Sequence, residues 1–455
     1  MNRADVVPGV EGVSTLARGD AASGGVAGGP GPDVVAASGM ATAARPAHRA
    51  LKILILSQWF EPEPCAKGLA FATALRDLGH SVEVLTGFPN YPGGKLYPGY
   101  GLKPVRVDTI DGLRVVRAPL YPSHDSSAMR RIFNYASFAA SALVVGMLCT
   151  RRPDVIYVYH LPATAGVAGV MMSKLRGVPF VFDVQDLWPD TLRATGMMQN
   201  RRALALVERV CQFVYRRAAR IITVSDGIRD TLVARKVPAD KIDVVYNWCD
   251  EAAIQAGTAA PPPAVMAGRF NIVFAGTMGK AQALEAVLQA ARLVAVSRPD
   301  IQFVFIGSGV ELDRLKALKQ ELALDNVVFV PRVPSSEVGA YLKAADALLV
   351  HLRDDPLFEI TIPSKTQAYL AVGKPILLAV KGDAARIVEE GNCGVVARPE
   401  DPVDIAAAAC RLYNMGADGR AVLSANAARH YVAKFSLAIG ARRSMDTLIK
   451  AVDGV

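Results

Sequence analysis

The sequence lacks the cysteine pairs of a metal site or a disulfide framework. None of its six cysteines forms a C-x-x-C pair or stands at a zinc spacing from a histidine, and they are scattered at positions 65, 149, 211, 249, 393 and 410. We therefore expect a reduced, cytoplasmic chain without a structural metal.

The usual fingerprints of nucleotide cofactors are also missing. No loop fits G-x-G-x-x-G or the Walker pattern G-x-x-x-x-G-K-[ST]. This disfavours NAD-dependent and ATP-hydrolysing enzymes, and we expect no resident cofactor. There is no basic stripe interleaved with aromatic residues and no recognisable nucleic-acid module, so a nucleic-acid partner is not expected.

The first fifty residues have no aromatic residue and no helical or strand periodicity. They are rich in Gly, Ala, Pro and Val, and no apolar run follows a basic start as in a secretory signal. We interpret residues 1–50 as a disordered N-terminal extension.

Positive charge is concentrated in one part of the chain. Residues 51–250 hold 25 Lys and Arg against 17 Asp and Glu, whereas residues 251–455 hold 22 against 21. Such asymmetry indicates an anionic partner, such as a membrane surface or a lipid phosphate. The alternative is a soluble domain that is merely basic.

One segment of 18 residues, 132–149, carries no charge and is flanked by Arg130, Arg131, Arg151 and Arg152. Its length is at the lower limit for a membrane-spanning helix. A helix that is apolar nearly all round can also be a core helix or lie on a bilayer, and the sequence leaves these three possibilities open.

From residue 52 onward, short apolar runs alternate with amphipathic stretches, which predicts parallel sheets covered by helices on both faces. Three consecutive prolines interrupt this pattern near the middle of the chain. We predict two doubly wound domains whose strand ends face a central cleft. The predicted divisions are an N-terminal domain 51–250, a linker 251–269, a C-terminal domain 270–417 and a helical segment 418–455 that crosses back.

Three loops at predicted strand ends of the C-terminal half suit a nucleotide diphosphate. The first two contain glycines, which allow close backbone approach, and the first ends in a lysine that could neutralise phosphate. Their candidate binding residues are Gly276, Thr277, Gly279 and Lys280 in the first loop and Gly307 and Gly309 in the second.

The third loop opens a helix, PSKTQAYLAVGKP, at residues 363–375. Ser364 as N-cap and Gln367 three residues later predict a capping box, and Gly373 suits a left-handed C-cap. Free N–H groups of the first turn, the helix dipole and Lys365 would together attract an anion. An ordinary capped helix with a solvated lysine is the alternative.

In the N-terminal half, His160 and Asp186 each follow a predicted buried strand, on the cleft side. The histidine could orient or polarise a sugar hydroxyl or a phosphate, and either Asp186 or Asp183 could bind an acceptor hydroxyl or act as a base. Alternatively, His160 is a packing residue and Asp186 only caps a turn.

The motifs FDVQDLWPD, VVYNWCD, FAGTMGKAQALEAVLQAA, FIGSGVE, PSKTQAYLAVGKP and CGVVARPEDP together resemble the GT-B glycosyltransferases of family 4, over residues 51–450. The pairing of DLWPD with the PSK helix is similar to the subgroup that builds bacterial O-antigen and exopolysaccharide units, including fucosaminyltransferase-like enzymes. This resemblance implies two Rossmann-like domains and a retaining transfer without a bound metal. Lys280, Ser364 and Lys365 would then stabilise the departing diphosphate.

One departure from the family concerns two glutamates that many members carry eight positions apart. Here Ile360 and Ala368 occupy those positions, and Glu359 is adjacent to the first. The sequence thus predicts a membrane-associated enzyme that transfers a sugar, such as an N-acetyl aminosugar from UDP, to a polyprenyl-diphosphate-linked saccharide. A GT-B sugar-nucleotide epimerase and a non-catalytic partner in a polysaccharide assembly complex are the alternatives.

Overall fold

A computed structural model of the protein describes residues 49–123, 128–160, 162–194, 197–256 and 263–454. The predicted N-terminal extension lies outside these residues, apart from positions 49 and 50, and so does part of the predicted linker. The described chain forms two α/β units, each built on a mainly parallel sheet.

The first sheet has eight strands in the order β3-β4-β2-β1-β5-β6-β7-β8, with only β3 antiparallel to its neighbour. Its strands are β1 (Lys52–Leu56), β2 (Ser81–Gly87), β3 (Arg106–Ile110), β4 (Leu113–Ala118), β5 (Val155–Tyr159), β6 (Phe180–Val184), β7 (Arg220–Thr223) and β8 (Ile242–Val244). Their helices are α1 (Leu69–Asp77), α2 (Ala128–Cys149), α3 (Thr164–Arg176), α4 (Asp190–Ala194), α5 (Arg201–Arg217) and α6 (Asp226–Ala234).

The second sheet has six parallel strands in the order β11-β10-β9-β12-β13-β14. They are β9 (Phe270–Ala275), β10 (Ile301–Ile306), β11 (Val327–Val330), β12 (Ala347–His351), β13 (Ile376–Ala379) and β14 (Gly394–Val396). The helices are α7 (Glu251–Ala256), α8 (Glu285–Ser297), α9 (Leu312–Glu321), α10 (Ser335–Ala344), α11 (Pro356–Glu359), α12 (Ser364–Val372), α13 (Asp383–Glu390), α14 (Pro402–Asn414), α15 (Gly416–Lys434) and α16 (Leu437–Asp453). Reversal of strand order beside β9 creates the switch point where ligands bind in such sheets.

Each sheet is buried on both faces, because apolar side chains alternate between two separate cores. Strand β5, for example, is buried at every residue. The two predicted doubly wound domains with their nearly continuous apolar strands are therefore confirmed, as is the GT-B fold class described below.

The segment predicted to cross back consists of two helices with different locations. Helix α15 packs against α12 of the C-terminal unit, whereas α16 packs against α1 and strands β5 to β7 of the N-terminal unit. Trp248 lies against Gly440 of α16, where a Cβ atom would come within 2.4 Å of the indole ring. The start of the predicted linker forms α7, which packs on α10 and α12.

Candidate active site

The two glycine loops, residues 276–279 and 307–309, lie against each other at the carboxyl ends of β9 and β10. Gly276 N–H donates to the Ile306 carbonyl at 2.8 Å, and Met278 N–H donates to the Ser308 carbonyl at 2.8 Å. Gly307 has φ +137°, and a Cβ there would lie 2.1 Å from the Gly276 carbonyl oxygen. Glycine is therefore required here because the two loops touch.

Lys365 lies across the first glycine loop. A Cβ at Gly276 would be 2.9 Å from the Lys365 Nζ, and the same Nζ is 4.7 Å from the centroid of the Phe274 ring. Lys365 makes no ion pair with any residue that the structure describes, and burial lowers the pKa of its ammonium group to about 8. A partly buried cation that pairs with no described residue favours an anionic ligand.

The start of α12 differs from the prediction in one respect. Pro363, not Ser364, is the N-cap, and no side chain caps it; Ser364 is already the first helical residue. The side-chain amide of Gln367 is oriented with its nitrogen towards the backbone carbonyls, and this nitrogen donates to the carbonyl of Pro363 at 2.7 Å. The predicted capping box is therefore wrong, because the Gln367 amide binds carbonyl groups at the helix start.

The predicted C-cap of this helix is confirmed. Gly373 adopts the left-handed conformation there, with φ +70°. The first turn keeps a tight Thr366 N–H to Pro363 carbonyl bond of 2.8 Å. Because no N-cap side chain occupies the helix start, its dipole adds to the Lys365 charge on the side of the glycine loops.

The other candidate residues of the first glycine loop have different environments from that of Lys365. Thr277 is partly exposed in the first loop, and the Gly279 N–H is held by the Gln282 side chain at 2.9 Å. Lys280 is exposed and lines a cavity of about 340 Å³ together with acidic and basic side chains. Among the lysines proposed for the diphosphate, Lys365 therefore has the direct contact with a glycine loop.

His160 lies at the end of β5 and is fully buried. Its ring packs edge-on against Phe182 and Trp188, with centroids 5.3 and 5.7 Å apart, and both ring nitrogens lack a partner among the described residues. Burial lowers its pKa to about 3, so the imidazole is neutral at physiological pH. This environment favours packing, and a role towards substrate stays a prediction.

Asp186 is partly buried in the loop after β6, and its carbonyl accepts from the Trp188 N–H at 3.1 Å. The following helix, α4, contacts α11 of the C-terminal unit. Asp186 therefore lies on the side of the N-terminal sheet that faces the second unit, where the sequence predicts it.

A direct contact between the units involves the residue that replaces the family glutamate. Ser225 Oγ donates to the Ile360 carbonyl at 2.6 Å, and a Cβ at Gly227 would lie 2.6 Å from the Ile360 side chain. Ile360 also packs against the apolar core of the N-terminal unit. Glu359, the adjacent acid, is exposed, and its carbonyl approaches Gly382.

Charged groups surround this domain contact. Arg386 donates to Asp226 and Asp383, each at 2.7 Å, and Asp383 accepts from the Gly227 N–H at 2.7 Å. Burial raises the pKa of Asp226, but hydrogen bonds from Arg386 and Tyr246 outweigh this and hold the pKa below its ordinary value. The carboxyl edges of the two sheets are therefore joined by apolar and ionic contacts.

Sequence reasoning did not predict a buried network of polar side chains in the N-terminal unit. Lys67 and Asp183 form an ion pair at 2.9 Å with both side chains fully buried. Gln185 donates to Asp183 at 2.8 Å and accepts from Asn247 at 2.8 Å. The Lys67 ammonium also lies 5.5 Å from the centroid of Trp248. An isolated lysine in a loop gives no sequence signal for this pairing.

Among the described residues, no group of three or more His, Cys, Asp and Glu side chains could hold a metal ion. The geometry instead offers fixed positive charge and helix N–H groups to an anion. Two Rossmann-like units joined at their strand ends, with a cationic helix start at the switch point, define the GT-B architecture.

Comparisons with known proteins place the chain in a family. Residues 69–248 match the model of the "Glycosyl transferase 4-like domain", and residues 269–415 match that of "Glycosyl transferases group 1". Together these matches cover most of the described chain. The protein belongs to the GT-B glycosyltransferases of the family 4 and group 1 type, and it is a glycosyltransferase.

Two relatives are glycosyltransferases by name, and the name of the second includes colanic acid biosynthesis. The chain is 27% identical over 263 residues, 56% of its length, to "Probable glycosyltransferase WbjE" of Pseudomonas aeruginosa, and this match spans 65% of WbjE. It is 26% identical over 338 residues, 71% of its length, to "Putative colanic acid biosynthesis glycosyl transferase WcaI" of Escherichia coli K12, spanning 82% of that protein.

Solved structures agree on the fold. HepE of Anabaena in complex with UDP has a TM-score of 0.61 at 17% identity, over 88% of this chain and 99% of HepE. The trehalose-6-phosphate enzyme of E. coli, bound with UDP-2-fluoro glucose, has a TM-score of 0.66 at 12% identity, over 87% and 98% of the two chains. At these identities the likeness shows the fold alone.

Proposed function

We propose that the protein is a retaining glycosyltransferase that moves a sugar from a nucleotide-diphosphate sugar to a polyprenyl-diphosphate-linked saccharide. The observation that carries the proposal is the unpaired Lys365 ammonium, which lies across the Gly276 loop at the start of α12. A leaving diphosphate develops negative charge there, and a preorganised cation stabilises that charge most in the transition state.

The donor is expected to be a UDP-sugar, with an N-acetyl aminosugar as the preferred group. HepE and the trehalose-6-phosphate enzyme, which share the fold, were solved with UDP or a UDP-sugar.

The acceptor is expected to be a lipid-linked saccharide at the cytoplasmic membrane surface. Support comes from the basic N-terminal half, with 25 Lys and Arg against 17 Asp and Glu, and from the polysaccharide pathway in the name of WcaI. Anionic lipid attracts basic side chains near its surface by about 1 kcal/mol each. O-antigen or exopolysaccharide repeat units fit this role.

The test is transfer from a panel of UDP-sugars with and without a polyprenyl-diphosphate saccharide. We expect sugar transfer only when the acceptor is present, with the anomeric configuration of the donor retained in the product. Isomerisation of the donor without acceptor would instead identify a sugar-nucleotide epimerase. Absence of UDP binding by calorimetry would favour a non-catalytic role in an assembly complex.

A further inference from the structure

Three helices of the N-terminal unit form one basic face. Helix α2 packs beside α3, and α3 packs beside α5. The three helices carry nine Lys and Arg residues and a single acidic residue, Glu208. Most of the net positive charge of the first half of the folded chain therefore lies on this one side of the sheet.

The same face exposes an apolar stripe along α2. Phe133 is 58% exposed, Val144 57% and Leu148 79%, at spacings that place them on one side of the helix. On the neighbouring helices, Leu175 of α3 and Leu206 of α5 are also exposed. Exposed apolar side chains on helices that also carry basic residues are typical of a surface that meets a bilayer.

The opposite side of α2 is fixed to the domain. Phe138 and Ala142 are fully buried in the core, and Arg176 of α3 donates to the Thr150 carbonyl, just beyond the helix end, at 3.1 Å. Helix α2 is long and apolar enough to cross a membrane by length and composition. Its packing on the sheet and on α3 instead favours a helix that lies along the membrane surface.

The direction of α2 relates this face to the active-site cleft. Near its start, Asn134 accepts from Gln58 at 2.5 Å and donates to Asn90 at 3.2 Å, in the loops after β1 and β2. Near its end, the Cys149 carbonyl accepts from Arg114 at 3.0 Å, close to the start of β4. The helix therefore runs from the carboxyl edge of the sheet, which borders the cleft, to the opposite edge.

From these observations we infer that the face formed by α2, α3 and α5 docks on an anionic lipid bilayer, with the stripe of α2 at the acyl boundary and the basic side chains among the headgroups. The cleft-side end of α2 carries Arg130 and Arg131. This orientation would hold the cleft at the membrane surface, so that a lipid-linked acceptor reaches it from the bilayer. That last step rests on the proposed function, whereas the docking itself does not.

The experiment is co-sedimentation of the full chain with vesicles of phosphatidylglycerol and phosphatidylcholine, compared with phosphatidylcholine alone. One variant, Val144→Ser with Leu148→Ser, removes the stripe; its control is Val296→Ser, a residue 88% exposed on α8 of the other unit. We expect the stripe variant to bind the anionic vesicles about tenfold less tightly or weaker, since two exposed apolar side chains no longer enter lipid. The control should bind like the unchanged protein.

A second variant tests charge: Arg202→Glu with Arg209→Glu on the exposed side of α5, matched by Lys316→Glu on α9. We expect it to bind anionic vesicles about thirtyfold less tightly or weaker, with little change on neutral vesicles. High salt should release the unchanged protein. Thermal unfolding of each variant confirms that these exposed substitutions leave the fold intact.

Binding that survives high salt, or that is equal on neutral vesicles, would overturn docking on an anionic bilayer. A dimer without lipid that the stripe variant dissociates would instead assign the face to a second copy of the chain. UDP affinity separates this inference from the proposed function, because neither variant touches the glycine loops or Lys365. Both variants should therefore retain UDP binding, and loss of vesicle binding alone would leave the donor site in place.

Discussion

The ionisation of Lys365 should make the affinity for UDP depend on pH. Burial lowers the pKa of this lysine from 10.5 to about 8, and no ion pair with a described residue opposes that shift. A bound diphosphate would supply the missing negative charge and raise the pKa again. UDP should therefore bind the charged form of Lys365, and binding should take up protons above pH 8.

The magnitude follows from the population of the charged form. With a pKa of about 8, Lys365 is about nine-tenths charged at pH 7 and about one-tenth charged at pH 9. UDP affinity should fall about tenfold over that range, or about 1.4 kcal/mol. At pH 8.5 the complex should take up roughly three-quarters of a proton for each UDP bound.

The assay is titration calorimetry with UDP at several pH values, in pairs of buffers that differ in ionisation enthalpy. Lys365→Met keeps the apolar stem over Phe274 and removes the charge, so it should weaken binding at pH 7 by about 10- to 100-fold. The variant should show a flatter pH dependence, and the two proteins should converge towards pH 9. Titration of the nucleotide itself is common to both proteins and cancels in the comparison.

Lys374→Met is the matched control, since burial also lowers the pKa of Lys374, at the other end of α12. It should leave UDP affinity unchanged. Titration of Lys365 itself does not unfold the protein at high pH: between pH 8 and 10.5 this side chain binds more protons in the unfolded chain than in the folded one, so its contribution to stability grows as pH rises there. Parallel pH profiles for the unchanged protein and Lys365→Met would refute the diphosphate assignment.

Three further predictions concern the loops and the buried residues behind the site. Gly307→Ala should abolish detectable UDP binding, because its Cβ would lie 2.1 Å from a carbonyl oxygen, whereas Gly177→Ala, also at positive φ but in open space, should bind UDP normally in the same calorimetric assay. Lys67→Met should lower the free energy of unfolding in urea by about 3–5 kcal/mol, since it leaves Asp183 buried without its cation, and a smaller loss in the double variant with Asp183→Asn would support this reason. His160→Phe should retain or raise the melting temperature, because it removes two unpaired ring nitrogens; unchanged turnover would then assign His160 to packing, and a fall in kcat would support contact with substrate.

Much of the fold follows from periodicity, because buried parallel strands are short and almost wholly apolar. The apolar runs of both halves coincide with strands to within a residue or two. The hairpin of β3 and β4 escaped this pattern, since β3 alternates partly buried and exposed residues at the sheet edge. Its turn, Asp111-Gly112 with φ of +50° and +77°, is a hairpin signal that the sequence does contain.

The site was less predictable, because local patterns do not record which groups meet across the molecule. S-x-x-Q predicts a capping box by spacing alone, yet Pro363 already occupies the N-cap position and Gln367 binds carbonyl groups there. The contact of Lys365 with Gly276 depends on two segments almost ninety residues apart. The proximity of the two glycine loops could be expected from strand order. That Lys365 would pair with no acidic side chain among the described residues could not.

Ile360 shows how a departure from a family motif can have a structural reason. Many family members carry a glutamate at this position, whereas here Ile360 packs between the units, against Gly227 and the N-terminal core. A carboxylate at that position would be desolvated against apolar side chains and would lie near Asp383, which already pairs with Arg386. Restoring the glutamate is therefore expected to disturb the contact between the units.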